Sequence, residues 1–310
     1  MNGTNFARLL QSWGNSFRHR ACWSLILVVG LHAPKAFGRS VVGQDTVQEG
    51  SSARRLGTVI GGSAIIAGTL ISLDRAWYSQ YDRGGFHFFN DGGEWLQMDK
   101  VGHSFATYTV GSWGHGLMRW CGYKERASVW IGGGVGLAYL TAVEYMDGRS
   151  AEWGFSVWDM TANIGGTGLF IGQQLAWKEQ RITLKYSAHL TDYAPQRPNV
   201  LGEGLSERIL KDYNGCTFWL SVNPRAFGWK GVPAWLNMAA GYGAEGMLNA
   251  DANPGQHRQF YLAPDIDLTR IPTKSKLVRT ILFTLNCVKV PMPTLEFNGN
   301  GRLEAYALYF

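Results

Sequence analysis

Residues 99–120, DKVGHSFATYTVGSWGHGLMRW, set the reading of this chain, together with VEYMDGRS at 143–150 and GFSVWDMTANIGG at 154–166. Each piece places charged or amide side chains at the border of a long, nearly uncharged segment. Asp99 and His103 are four residues apart, Glu144 and Asp147 three, Asp159 and Asn163 four, so on helices each pair shares one face. The uncharged segments 101–118, 127–143 and 160–177 read as helices of marginal membrane-spanning length. A charge in apolar surroundings is costly unless it is paired or lines a polar cavity. The three clusters are therefore expected to meet, with Lys100 and Arg149 as counter-charges.

Working outward, the chain carries 45% hydrophobic but only 17% charged residues, with 40 Gly and 13 Trp among 310 residues. That balance fits a membrane-associated protein better than a soluble enzyme. The net charge of +6 is spread along the chain. Lipid headgroups are the expected partner, and nucleic acid is not.

The amino terminus reads as a signal peptide or N-terminal anchor over 1–36. Arg18-His19-Arg20 precede an apolar core, Ala21 to Leu31, and Ala33-Pro-Lys-Ala36 supplies small residues for cleavage. Residues 37–55 read as a polar linker. Leu56 to Leu73 is uncharged and rich in Gly and Ala, a first spanning helix packed through small residues, with Trp77-Tyr78 as an interfacial pair. Residues 56–177 thus form a helical domain. Gly132-Gly133-Gly134 lies inside an apolar helix with no strand before it, and reads as a packing surface.

From Lys178 the period changes. Strands are expected at 181–190, 216–222, 236–243, 258–269, 280–289 and 302–310, with a short helix from Leu205 to Lys211. The expected fold is α+β: about four Gly-rich apolar helices, then an antiparallel β region over 178–310. After cleavage three widely spaced cysteines remain, Cys121, Cys216 and Cys287. They give neither a metal-binding CxxC spacing nor a disulfide framework.

Asp99, Lys100, His103, Glu144, Asp147, Arg149, Asp159 and Asn163 form the expected polar cluster. It can bind a ligand such as a lipid headgroup, or lock the helices together. Carboxylates with an imidazole also suit a divalent cation, for which His103, Glu144 and Asp159 are the ligand set. Asp99, His103, Glu144 and Asp159 can instead supply metal or acid–base groups to a membrane hydrolase or transferase acting on a lipid or cell-wall precursor. No GxSxG, P-loop, HExxH or strand-linked GxGxxG is present. A third reading is an outer-membrane β-barrel ending at Phe310, although six strands fall short of the usual minimum of about eight.

The ordered series D-K-x-x-H at 99–103, E-x-x-D-G-R at 144–149 and G-F-S-x-x-D-M-x-x-N-x-G at 154–165 resembles the YfiM-type periplasmic lipoprotein family, a domain of unknown function. A looser similarity extends to VanZ-like membrane proteins, linked to glycopeptide resistance. The resemblance covers residues 95–177 and implies a Gram-negative envelope protein, membrane-associated on the periplasmic side. It supplies no activity. This chain departs from the YfiM pattern in lacking a lipobox and in carrying the long β region.

Overall fold

The computed structural model describes residues 52–78, 82–299 and 301–310, without the side chains of Ala76 and Trp77. The expected signal or anchor segment 1–36, the linker up to residue 51 and the Trp77 ring lie outside that description. Four long helices come first: α1 (Ser52–Leu73), α2 (Met98–Trp120), α3 (Glu125–Asp147) and α4 (Val157–Trp177). The helix α1 already includes Ser52–Arg55, the end of the expected linker. Among the described residues, only α1 is both long and apolar enough to cross a membrane, by length and composition.

Helix α2 packs against both α3 and α4. Glycine makes that approach possible. A Cβ on Gly132 would run into the backbone of His115, and one on Gly166 into the carbonyl of Ser104. Gly133 meets Ile171 and Phe170 of α4, while Gly134 faces open space. The glycine run is the packing surface that its sequence implied. One face of α1 rests on this bundle through Ile65, Ile66 and Leu70 against Val110 and Tyr139. Its other side, with Leu56, Val59 and Ile60, is exposed.

A two-residue parallel pair, β1 (Phe88–Phe89) with β2 (Phe155–Ser156), ties the loop before α2 to the start of α4. After α4 the chain forms β3 (Ile182–Ala188), two short helices α5 (Pro198–Leu201) and α6 (Leu205–Lys211), β4 (Cys216–Val222), β5 (Leu236–Glu245) and β6 (His257–Ile266). Helix α7 (Lys276–Leu285) precedes β7 (Met292–Asn298) and β8 (Leu303–Tyr309). Strands β3 to β8 form one antiparallel sheet in sequence order, giving an α+β fold. Strands β3 and β8 are not paired to each other, so the sheet is open. Residues 287–289 run along β3 instead, through Tyr186 N to Cys287 O and Lys289 N to Tyr186 O.

Two sequence expectations change here. The segment 280–289, expected as a strand, is largely helix α7. Leu277, Val278, Ile281 and Leu285 recur at helical spacing, and Ser275 caps the start by accepting from Val278 N. The strand β7 was hidden by Pro291 and Pro293. Pro293 falls at a register irregularity between β7 and β8, where no ladder donor is required of it. Tyr78 also differs from expectation: it is buried, and donates to Asp147 rather than sitting in an interfacial belt.

The sheet packs on the bundle through Met98 and Phe105 of α2 against Tyr186, Cys216 and Phe218. Its other side curls over a polar interior. There Lys185 and Asp265, both fully buried, are 2.8 Å apart, and Ser221 Oγ donates to Asp265 at 2.6 Å. The rings of Trp219, Tyr261 and Tyr309 fill the remainder.

Two substitutions in α3 test the glycine seam. Gly132→Val should lower stability by about 1–3 kcal/mol or more through overpacking. Gly134→Ala should leave stability unchanged or raise it by up to about 1 kcal/mol, because nothing lies near its Cβ and alanine favours helix. Thermal unfolding followed by near-UV circular dichroism measures both.

Candidate functional site

The three polar pieces of the sequence meet at one end of the bundle. Ser156 is the N-cap of α4, and its Oγ accepts from Asp159 N at 3.0 Å. This leaves Asp159 in the first turn and Asn163 one turn later. The β1–β2 pairing then brings the following loop alongside, so Ser156 Oγ donates to Asp91 Oδ1 at 2.5 Å. Helix α2 supplies Asp99 and Lys100 from its first turn and His103 from the next. Helix α3 supplies Glu144 and Asp147 from its last turn.

Lys100 is the hub. Its ammonium lies 2.5 Å from Asp91, 2.7 Å from Asp99 and 3.0 Å from Asp159, with little of any of the four side chains exposed. His103 forms a second centre. Its Nδ1 donates to Asn163 Oδ1 at 3.1 Å, which orients the ring and turns Nε2 toward Asp159. Asp159 Oδ1 is 3.9 Å from Nε2, and Glu144 Oε1 is 3.8 Å from Nδ1. Glu144 also accepts from Ser156 N at 3.2 Å, and Tyr78 donates to Asp147 at 2.6 Å.

Five carboxylates thus face one ammonium and one imidazole. Burial, then the negative charge of Asp159 and Asp147, pushes the Glu144 carboxyl up to about 9. Burial raises Asp147 to about 6 against the hydrogen bond from Tyr78. Burial also raises Asp159 and Asp99, with His103 and Lys100 opposing it. Asp91 goes the other way: burial disfavours its charge, but hydrogen bonds from Lys100 and Ser156 outweigh it and hold the carboxyl low. At neutral pH Glu144 therefore keeps its proton, while Asp91 is ionised.

Seven of the eight residues expected from the sequence, Asp99, Lys100, His103, Glu144, Asp147, Asp159 and Asn163, lie within this end of the bundle. Arg149 does not join them. It follows the helix end in a turn, its side chain is exposed, and Lys100 alone supplies the permanent positive charge. Asp91, Ser156 and Tyr78 are the partners that sequence reasoning passed over. Asp91 lies in the aperiodic stretch Asn90-Asp91-Gly92-Gly93, whereas Ser156, three residues before Asp159, is of a residue type that caps helices.

A depression of about 390 Å³ opens above Lys100, lined also by Asn90, Gly92, Gly93, Gln97 and Trp158. Gln97 on its rim ends a run of three successive non-glycine residues in the left-handed region, Trp95, Leu96 and Gln97, at φ 49°, 50° and 65°. Each costs roughly 1–2 kcal/mol in isolation, so other contacts must hold the turn. The sheet provides them: Tyr242 OH donates to Leu96 O at 2.5 Å, and Arg258 donates to Gln97 Oε1 at 2.6 Å. Three buried polar atoms in the cluster, Asn163 Nδ2, Asp99 Oδ1 and Asp159 Oδ1, have no hydrogen-bond partner among the described residues, although Asp159 Oδ1 lies 3.0 Å from the Lys100 ammonium.

Residues 85–172 match the sequence model of a family described as a predicted periplasmic lipoprotein (DUF2279). The matched segment contains Asp91, Asp99, Lys100, His103, Glu144, Asp147, Asp159 and Asn163, and it is the family that the ordered polar series resembles. The match supports a periplasmic, envelope-associated location and supplies no activity. No curated protein and no solved structure matches the chain.

The raised Glu144 carboxyl has a signed consequence. Unfolded, the group ionises near 4.5; folded, it keeps its proton to about 9. The folded state binds the extra proton between those values, so this group's contribution to stability falls as pH rises through that window. Glu144→Gln should remove that decline and make the protein relatively more stable at alkaline pH. Thermal midpoints of both proteins, recorded across the window with chelator present, check it.

Proposed function

We propose that this chain is a cell-envelope protein whose polar cluster is a ligand site, and that the ligand includes a divalent cation held by His103, Glu144 and Asp159. One observation carries the reading. His103 Nε2 and Asp159 Oδ1 face each other across 3.9 Å, too far apart for a direct hydrogen bond. An ion about 2.0–2.2 Å from each would bridge that gap. Glu144 offers a third ligand once it releases its proton to the incoming ion, with one ligand atom from each of the three residues lying within 4.8 Å of the others. Asn163 then acts as the outer partner that orients the imidazole. The excess of carboxylates over cations supports the same reading, and the depression above Lys100 gives a headgroup or its phosphate a way in.

A structural lock is the competing reading, favoured by the bonds that Ser156, Asp91 and Lys100 already make among three elements. Ion binding separates the two. Full-length protein stripped with chelator and titrated calorimetrically with Mn²⁺, Zn²⁺ and Mg²⁺ should take up one ion per chain. His103→Ala should weaken that binding by tenfold or more, whereas Tyr242→Phe, remote from the ion, should not. If no ion binds to the wild type and His103→Ala only lowers the thermal midpoint, the cluster is a lock.

A further inference from the structure

The exterior of this protein is patterned the wrong way round for water. On the convex side of the sheet the register lines up Ala240, Leu262, Leu295 and Ala305 in one row, and Tyr242, Phe260, Phe297 and Leu303 in the next. Leu262, Phe260, Leu295 and Phe297 are each more than 40% exposed. The concave side holds the charged and amide groups: Lys185 with Asp265, and Gln259 with Glu296. Helix α7 repeats the inversion, burying Thr280 while exposing Leu277, Val278, Ile281 and Leu285. Among the described residues the outer sides of α3 and α4 continue the band with Trp130, Ile131, Ile164 and Leu175.

The band has two different ends. At the end where α4 stops and β3 begins, Trp177, Phe227, Trp229 and Trp235 are exposed. Basic groups accompany these rings, with Arg181 stacked 4.7 Å over Trp177. Arg54 lies 4.9 Å over Trp120 and Arg55 4.9 Å over Tyr123 at the foot of α1. Aromatic rings with arginines form the collar that membrane proteins place at the headgroup level. At the opposite end sits the polar cluster. From Asp159 to Trp177, α4 covers most of its 21 residues. At a rise of 1.5 Å per residue that is close to the ~30 Å thickness of a bilayer's hydrocarbon core.

We infer that helices and sheet together form one lipid-embedded body, with the convex face of β5–β7 and the outer side of α7 against acyl chains. The tryptophan–arginine collar then lies at one headgroup level and the polar cluster at the other. The apolar surface wraps the sheet, α7, α3 and α4, so one partner copy could not cover it all, whereas a lipid annulus does. The outer edge of β8 is unpaired among the described residues, and hydrocarbon does not tolerate a free strand edge. In this inference that edge meets water or protein, with Arg302 and Glu304 exposed on it beside Leu303, Leu308 and Phe310. This inference stands apart from the ion-binding reading: either can fail alone.

Single Cys variants at Leu262, Leu295 and Ile281, with Asp251→Cys in the exposed β5–β6 loop as reference, can carry an environment-sensitive fluorophore. The full-length protein is placed in vesicles of zwitterionic and anionic lipid, and the unsubstituted protein serves as the blank for its own cysteines. Labels at 262, 295 and 281 should lose fluorescence to nitroxide-bearing lipids and be untouched by aqueous iodide; the label at 251 should behave the opposite way. Quenching of 262 and 295 by iodide would overturn the inference by showing a solvent face. Labels silent to both quenchers, with crosslinking between copies at 262, would overturn it in favour of a protein partner. Three positions on two elements keep the outcome readable if one variant misfolds.

Discussion

The ammonium of Lys100, enclosed by Asp91, Asp99 and Asp159, is the interaction on which the rest of this end depends. Each carboxylate arrives on a different piece of chain: the loop after β1, the first turn of α2 and the first turn of α4. No single helix would tolerate three buried acids. The charge they share makes the helix ends converge, and the glycine seam between α2, α3 and α4 lets them come close enough. Removing the cation would strand buried anions, a far larger loss than the pair itself contributes. The same crowding leaves Glu144 protonated, since one lysine cannot neutralise five acids.

The sheet answers a different constraint. Its polar side turns inward and is satisfied there: Trp219 Nε1 donates to Ser187 at 2.9 Å, and Gln259 Nε2 donates to Glu296 at 2.9 Å. Its apolar side is divided between the bundle, where Phe218 meets Phe105, and the exterior. On the sheet beyond the bundle, charged and amide groups are hydrogen-bonded on the inner side while Phe260, Leu262, Leu295 and Phe297 are exposed on the outer one.

The order of elements was legible because it rests on local signals. Helical spacing of Asp99 and His103, and of Asp159 and Asn163, placed four helices before the change of period at Lys178. Alternation marked five of the six long strands. What escaped were features set by distant partners. Strand β7 is disguised by Pro291 and Pro293, which are tolerated only because of an irregular register with β8. The segment that became α7 is apolar enough for either structure, and its helical period was masked by β-branched residues such as Val278, Thr280 and Ile281. In the site, the helical residues declared themselves by spacing. Asp91 did not, because a two-residue parallel bridge places it beside Ser156. Arg149 misled because charge in sequence says nothing about direction in space.

The left-handed turn at Trp95–Gln97 has a temporal consequence. Its clamps come from Tyr242 and Arg258, the first lying 146 residues beyond Leu96. During synthesis, the acidic helix ends can gather long before the strands that fasten the rim exist. Until the ribosome has passed Arg258, the protein owns a charged chamber without a doorway. A product truncated before that point would carry the acidic cluster without the contacts that fasten Trp95–Gln97, and would be distinguishable from the finished protein by that alone.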